Sequence, residues 1–274
     1  MNNPMNSRPQ LSLLLPLLLW TAVPSATFAQ DLEAALAGAH RSPEHVARDR
    51  YRHPAETLRF FGLRADMQVL EVAPGGGWYT EVLAPFLAQK GKLTVASFGI
   101  EHRNDYLAGI HRDYAAKLAT DPDTYGRVHM VSPFQKPTYL EQVDSDSMDM
   151  VLTFRNTHNW IRDEVARSVY QACFRVLRPG GILGVVQHRA PPGADVPASV
   201  KQGYVPEEYV VQLAEEAGFR LQARSEVNAN PRDTRDHPKG VWTLPPTLRL
   251  KEQDRDKYLA IGESDRMTLK FVKP

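Results

Sequence analysis

Two hydrophobic rhythms alternate along the chain. Short runs with the length and apolar content of strands occur at Met67–Val72, Lys92–Phe98, Arg127–Val131, Met148–Phe154, Ile182–Gln187, Phe219–Val227 and Met267–Val272. Between them the period changes to that of a helix. Val82, Leu83, Phe86 and Leu87 form one apolar stripe, and Tyr106, Ile110, Tyr114 and Leu118 recur at every fourth position within His102–Leu118. Helices are likewise predicted over Asp163–Leu177, stopped by Arg178-Pro179-Gly180-Gly181, and over Pro206–Ala217, stopped by Gly218. Strand alternating with helix predicts an α/β fold: a doubly wound, mostly parallel seven-stranded sheet with helices on both faces. No helical pattern separates the last two strands, so the sheet is expected to close on an antiparallel last strand.

Two stretches break this rhythm. Residues 30–62 read as a helical lead-in, with Ser42 as a cap, Pro43 at the first helical position and a further helix opening at Pro54. Its segment Arg48, Asp49, Arg50, Arg52 and His53 is dense in charge. It reads either as a solvated helix face or as a cover over the mouth of a crevice. Residues 228–265 form a long connection carrying Pro231, Pro238, Pro245 and Pro246, the length of a functional lid or a disordered insertion.

Composition changes the picture mainly at the start of the chain. Arg8 precedes an apolar run from Leu11 to Val23, and Thr27 and Ala29 supply the small residues of a cleavage site. The run carries Pro16 and is short for a bilayer span, so residues 1–29 read as a signal peptide and the chain as exported to the periplasm, with no stable membrane span after cleavage. The domain boundaries that follow are 1–29, 30–62 and 63–274. Across the 274 residues the net charge is +1, without a block of one sign, and nucleic-acid binding is not indicated. Cys173 is the single cysteine, so no intrachain disulfide forms. Its place in the apolar run Tyr170–Leu177 marks a buried helix residue.

The candidate chemistry begins at Val69-Leu70-Glu71-Val72-Ala73-Pro74-Gly75-Gly76-Gly77-Trp78-Tyr79-Thr80. A buried strand breaks into a glycine turn and opens a helix. That sequence of elements is a crevice for a nucleotide cofactor, with backbone N–H groups free at the helix start. His158, in Arg155-Asn156-Thr157-His158-Asn159-Trp160 after the fourth strand, is the candidate catalytic base, the alternative being a hydrogen-bonded structural histidine. Trp160 and Tyr79 read as pocket walls or as core. The nine histidines lack zinc-ligand spacing, so no metal site is expected, and no Gly-x-Ser-x-Gly elbow is present.

Three motifs in order carry a resemblance: Val69–Gly77, then Ser147-Met148-Asp149-Met150-Val151-Leu152-Thr153, then Arg175-Val176-Leu177-Arg178-Pro179-Gly180-Gly181-Ile182-Leu183. Together they resemble class I S-adenosylmethionine-dependent methyltransferases. With Arg48-Asp49-Arg50 and the Pro74-Gly75-Gly76-Gly77 turn, the chain is also similar to a family of exported predicted methyltransferases. The resemblance implies a Rossmann-like methyltransferase fold and S-adenosylmethionine as cofactor. It implies cofactor contacts at Ala73, Pro74, Gly75, Gly76 and Gly77. Glu71 would meet the methionine amine directly or through water, Arg155 and Asn156 would lie near the sulfonium, and Ser132 would lie in the adenine region with Pro133 and Phe134. Two positions depart from the pattern. Ala73 replaces the usual first glycine, and Ser97 stands where the second strand normally ends in a ribose-binding carboxylate, with Glu101 as a substitute. The function implied is methyl transfer to a small-molecule or envelope acceptor. The alternative is a non-catalytic ligand- or partner-binding protein on the same fold.

Overall fold

A computed structural model describes Met1 and residues 26–137 and 139–274, with side chains from residue 31 onward. The expected signal segment lies almost entirely outside the described residues. Among these, no helix is long and apolar enough to cross a membrane.

The sheet has seven strands in the order β3-β2-β1-β4-β5-β7-β6. They are β1 Gln68–Val72, β2 Lys92–Ala96, β3 His129–Val131, β4 Met148–Phe154, β5 Leu177–His188, β6 Arg220–Ser225 and β7 Arg266–Val272. β1 through β5 pair in parallel, and β7 runs antiparallel between β5 and β6. This is the expected sheet with its antiparallel last strand. All seven residues of β4 are buried, as a strand covered on both faces requires. The Arg178–Gly181 segment does not simply end a helix. It lies within β5, pairing through Leu177 with Met148 before the register shifts.

Twelve helices complete the described chain: α1 Ala26–Leu36, α2 Pro43–Val46, α3 Asp49–Arg52, α4 Pro54–Phe61, α5 Thr80–Leu87, α6 Asp105–Thr120, α7 Pro122–Tyr125, α8 Thr157–Arg162, α9 Ala166–Val176, α10 Val196–Lys201, α11 Glu207–Glu216 and α12 Arg255–Ile261. Strand alternation decides which helices go where. Val69, Met150 and Leu152 point to one face, where they meet Leu32, Leu58, Phe61 and Leu83 of α1, α4 and α5. Leu70, Val72, Val151 and Val185 point to the other, against Val169, Cys173, Val176 and Leu213 of α9 and α11. Each such buried aliphatic side chain contributes about 1.5–3 kcal/mol.

Three expectations need revision. The helix predicted over Asp163–Leu177 is α9 alone, preceded by the separate α8 that carries His158. α6 starts at Asp105 rather than His102, because Asn104 accepts the Tyr106 amide as N-cap. Residues 228–265 are neither structureless nor without a helix: they contain a short turn of 3₁₀ helix at Gly240–Thr243 and α12.

Candidate active site

A crevice of about 910 Å³ opens at the carboxyl ends of β1, β4 and β5, where the strand order reverses. The volume lies within the range of small-molecule and cofactor sites. Its floor is the turn after β1. Ala73, Gly75 and Gly77 have φ of 51°, 59° and 76°, so the backbone folds back within a few residues. A Cβ built on Gly75 or Gly76 would meet nothing within 4 Å, whereas one on Gly77 would sit 2.7 Å from Tyr114 Cε2. Ala73, Pro74, Gly75 and Gly76 therefore line an open cradle. Gly77 lets the turn settle on Tyr114.

Glu71 is buried beneath the turn, outside the crevice lining, and its Oε2 accepts the Thr80 hydroxyl at 2.6 Å. Thr80 Oγ1 lies 3.0 Å from Tyr114 Oη. Burial pushes the Glu71 carboxyl up to about 7 against the opposing effects of the Thr80 bond and Lys117. The group braces the turn from below through Thr80.

On the β2–β3 side, Ser97 is 2% exposed and its hydroxyl lies 3.1 Å from His111 Nδ1. Ser132 presents its carbonyl to Gln142 Nε2 at 2.8 Å. Ser97, Ser132 and Glu101 lie outside the crevice lining. Phe134 is buried against Trp160 and Tyr139. The wall here is Phe98, Asn104, Tyr106, Leu107 and Ile110. Asn104 and Tyr106 are its polar members, reached because the capped start of α6 leans over the cradle.

The residues after β4 do converge. Arg155 takes a left-handed conformation, φ 65°, and donates its N–H to Val186 O at 2.7 Å. Ala73 and Arg155 thus place non-glycine residues in the left-handed region at the ends of adjacent strands, at a cost of about 1–2 kcal/mol each. Asn156 Nδ2 reaches Val72 O, Ala73 O and Thr153 Oγ1, all at 3.2 Å, and splints β1 to β4. Both residues line the crevice. Tyr79 does not: it is buried and stacks on Phe154 at 3.5 Å between centroids.

His158 lines the crevice, where its neighbours set the state of its ring. Gln187 Nε2 lies 3.2 Å from its Nδ1 and also faces the His188 and Gly203 carbonyls at 3.4 and 3.3 Å. Two carbonyl neighbours fix the Gln187 end as NH₂, so Nδ1 accepts and the imidazole proton resides on Nε2. Burial lowers the ring to about 4. At neutral pH His158 is an uncharged donor. His188, 5.6 Å away between ring centroids and bonded to Ser264 Oγ at 2.5 Å, is also held below its ordinary value by burial.

The remaining lining comes from outside the expected set. Val241, Trp242, Pro245 and Pro246 of the long connection form a roof, and Arg48, Arg52, Glu263 and Ser264 close one end. Arg52 is 2% exposed, with its guanidinium over the Trp78 ring at 4.6 Å. The charge density at 48–53 signalled the arginines. Nothing local signalled Glu263, whose partner Arg48 lies 215 positions away. Among the described residues no group of histidines, cysteines and carboxylates is arranged to hold a metal.

No protein-family profile matches the chain, and no curated protein matches it. Solved structures do. A SAM-dependent methyltransferase from Aquifex aeolicus is 16% identical, with a TM-score of 0.53 over 85% of this chain and 94% of that one. The glycopeptide N-methyltransferase MtfA is 14% identical, with a TM-score of 0.51 over 85% and 100%. The cyclase SpnF is 17% identical, with a TM-score of 0.54 over 81% and 80%. At these identities the likeness is one of architecture: the chain has the Rossmann-like methyltransferase fold.

Proposed function

We propose that the crevice binds S-adenosylmethionine and that the chain transfers its methyl group to an acceptor entering beneath the Trp242 roof. The carrying observation is the cradle at Gly75 and Gly76, open to any approaching ligand, at the end of β1 in this strand order. The residues present fit the cofactor there and along the wall of Phe98, Leu107 and Ile110. At the ribose position the fit rests on Asn104 and Tyr106 instead of a carboxylate. When bound, the cofactor supplies a methyl group already activated on a sulfonium.

The chain's own residues then have three tasks. Asn156 holds the ends of β1 and β4 together, so the cradle and Arg155 keep a fixed separation. Trp242, Pro245 and Pro246 shield the crevice from water. His158 donates from Nε2 and takes up no proton at neutral pH, which fits an acceptor whose nucleophilic atom already carries a free lone pair. The charged, apolar and small-residue order of residues 8–29 supports export, so the acceptor is placed among periplasmic small molecules or envelope components.

A second reading, a non-catalytic binding protein, is favoured by the turning of Ser97 onto His111. One fold hosts many functions. Calorimetric titration of the full chain with S-adenosylmethionine and with S-adenosylhomocysteine separates the two. One-to-one binding of both is expected. Absence of heat and of thermal shift with either leaves the second reading.

A further inference from the structure

Four arginines surround one carboxylate at the end of the crevice. Arg48 Nε donates to Glu263 Oε1 at 2.7 Å, Arg52 Nε to Oε2 at 3.1 Å, and Arg266 Nη1 to Oε2 at 2.9 Å. Arg155 approaches the same group closely enough to act on it electrostatically, yet its guanidinium makes no hydrogen bond or salt bridge among the described residues. One negative charge thus faces four positive ones. Donors are left over: both terminal nitrogens of Arg52, Nη2 of Arg48 and Nε of Arg266 are buried without a partner. An unpaired buried guanidinium is costly, and chains rarely retain several together without a use. The face of Arg52 is covered by Trp78, which leaves its edge, the fork that matches an oxyanion.

Topology says which ligand the nest serves. The cradle and the wall for the cofactor lie over β1, β2 and β3. Arg155 follows β4, and Arg266 begins β7 directly opposite His188 at the end of β5. Arg155 and Arg266 thus set the nest on the β4, β5 and β7 side of the switch point, and Arg52, stacked on Trp78, reaches from it toward the turn after β1. We infer that Arg48, Arg52 and Arg155 form a recognition site for an oxyanion, a carboxylate or phosphate carried by the methyl acceptor, with Glu263 and Arg266 holding the fork in place. The acceptor is then an anionic small molecule or headgroup. The inference rests on the methyl-transfer reading for the word acceptor, but the anion site stands on the arginines alone.

The test uses benzoate and phenylphosphonate as probes, with benzamide as the neutral counterpart. Binding is read by calorimetry on the full chain with and without saturating S-adenosylhomocysteine. At least one anionic probe is expected to bind at least tenfold more tightly than benzamide. Arg52→Met is expected to remove that preference while S-adenosylhomocysteine affinity stays within twofold. Arg48→Gln, at a side chain 19% exposed, is expected to weaken the anionic probe about tenfold and serves if the buried variant does not fold. Equal binding of benzamide and both anions, or variants that leave the preference intact, overturns the site. If Arg52→Met or Arg48→Gln weakens S-adenosylhomocysteine but not methylthioadenosine, which lacks the carboxylate, the anion belongs to the cofactor and the acceptor assignment is overturned. If S-adenosylhomocysteine never binds while the anionic probe does, methyl transfer falls and the anion site stands.

Discussion

The connection between β6 and β7 ends in two buried polar clusters that solve opposite problems. The Asp233 carboxylate is fully paired. Its carboxylate accepts the Tyr204 hydroxyl at 3.0 Å, His237 Nε2 at 2.8 Å, and the amides of Arg235 and Asp265 at 2.9 and 2.8 Å. Around Glu263 the count does not close, and arginine N–H groups remain over. A closed network fixes a loop in place. An open one with positive charge in excess, at the edge of a crevice, leaves donors for something that arrives. The difference separates scaffold from site within a few residues of the same connection.

Breaking the closed cluster should give the largest effect. Asp233→Ala strands a buried hydroxyl, a histidine and two amides, and is expected to lower stability by about 3–5 kcal/mol in urea unfolding, with no relief from added phosphate. Glu263→Gln should cost about 3 kcal/mol by leaving the arginines to repel one another, and here phosphate at tens of millimolar is expected to restore part of the loss. Equal response of both variants to phosphate would erase the distinction drawn between the clusters.

The cradle gives a contrast of its own. Gly76→Leu projects into open space and should leave stability within about 1 kcal/mol while weakening S-adenosylhomocysteine about a hundredfold. Gly77→Ala pushes on Tyr114 in a left-handed backbone and should cost about 1–3 kcal/mol of stability.

The carboxyl beneath the cradle adds a pH slope. Glu71 rises from 4.5 to about 7 on burial, so between those values the folded chain binds more protons than the unfolded one. Stability from this group therefore falls as pH rises from about 4.5 through 7, by ~3 kcal/mol at most. Glu71→Gln should flatten the slope and raise the thermal midpoint at pH 8 relative to pH 5. An unchanged slope would mean that Glu71 is ionised in the folded chain.

Much of the fold could be read from the residues. Met148–Phe154 is β4 to the residue because Met150, Val151, Leu152 and Phe154 carry a buried apolar run, interrupted only by Asp149, which accepts the Gln68 amide, and by Thr153. The glycine turn is legible because Gly75 and Gly77 take positive φ, which glycine adopts without strain. Ser42 caps α2 as its position ahead of Pro43 predicts. α8 was not legible: Thr157, His158, Asn159 and Trp160 show no apolar period, and a tertiary bond from Thr157 Oγ1 to Tyr170 Oη anchors it. Glu71 and Ser97 sit near the expected contacts, but side-chain direction is settled by neighbours such as Thr80 and His111, which a motif does not encode. The Glu263 nest escaped because its members meet only after the chain has crossed the whole sheet.

Hydrogen exchange of the full chain, with and without S-adenosylhomocysteine, most directly tests whether the cradle is the cofactor site. Slowed exchange is expected at the amides of Ala73, Gly75, Gly76 and Trp78 and again over residues 153–158. Binding that slows exchange only elsewhere, or leaves these two stretches unchanged, would contradict it.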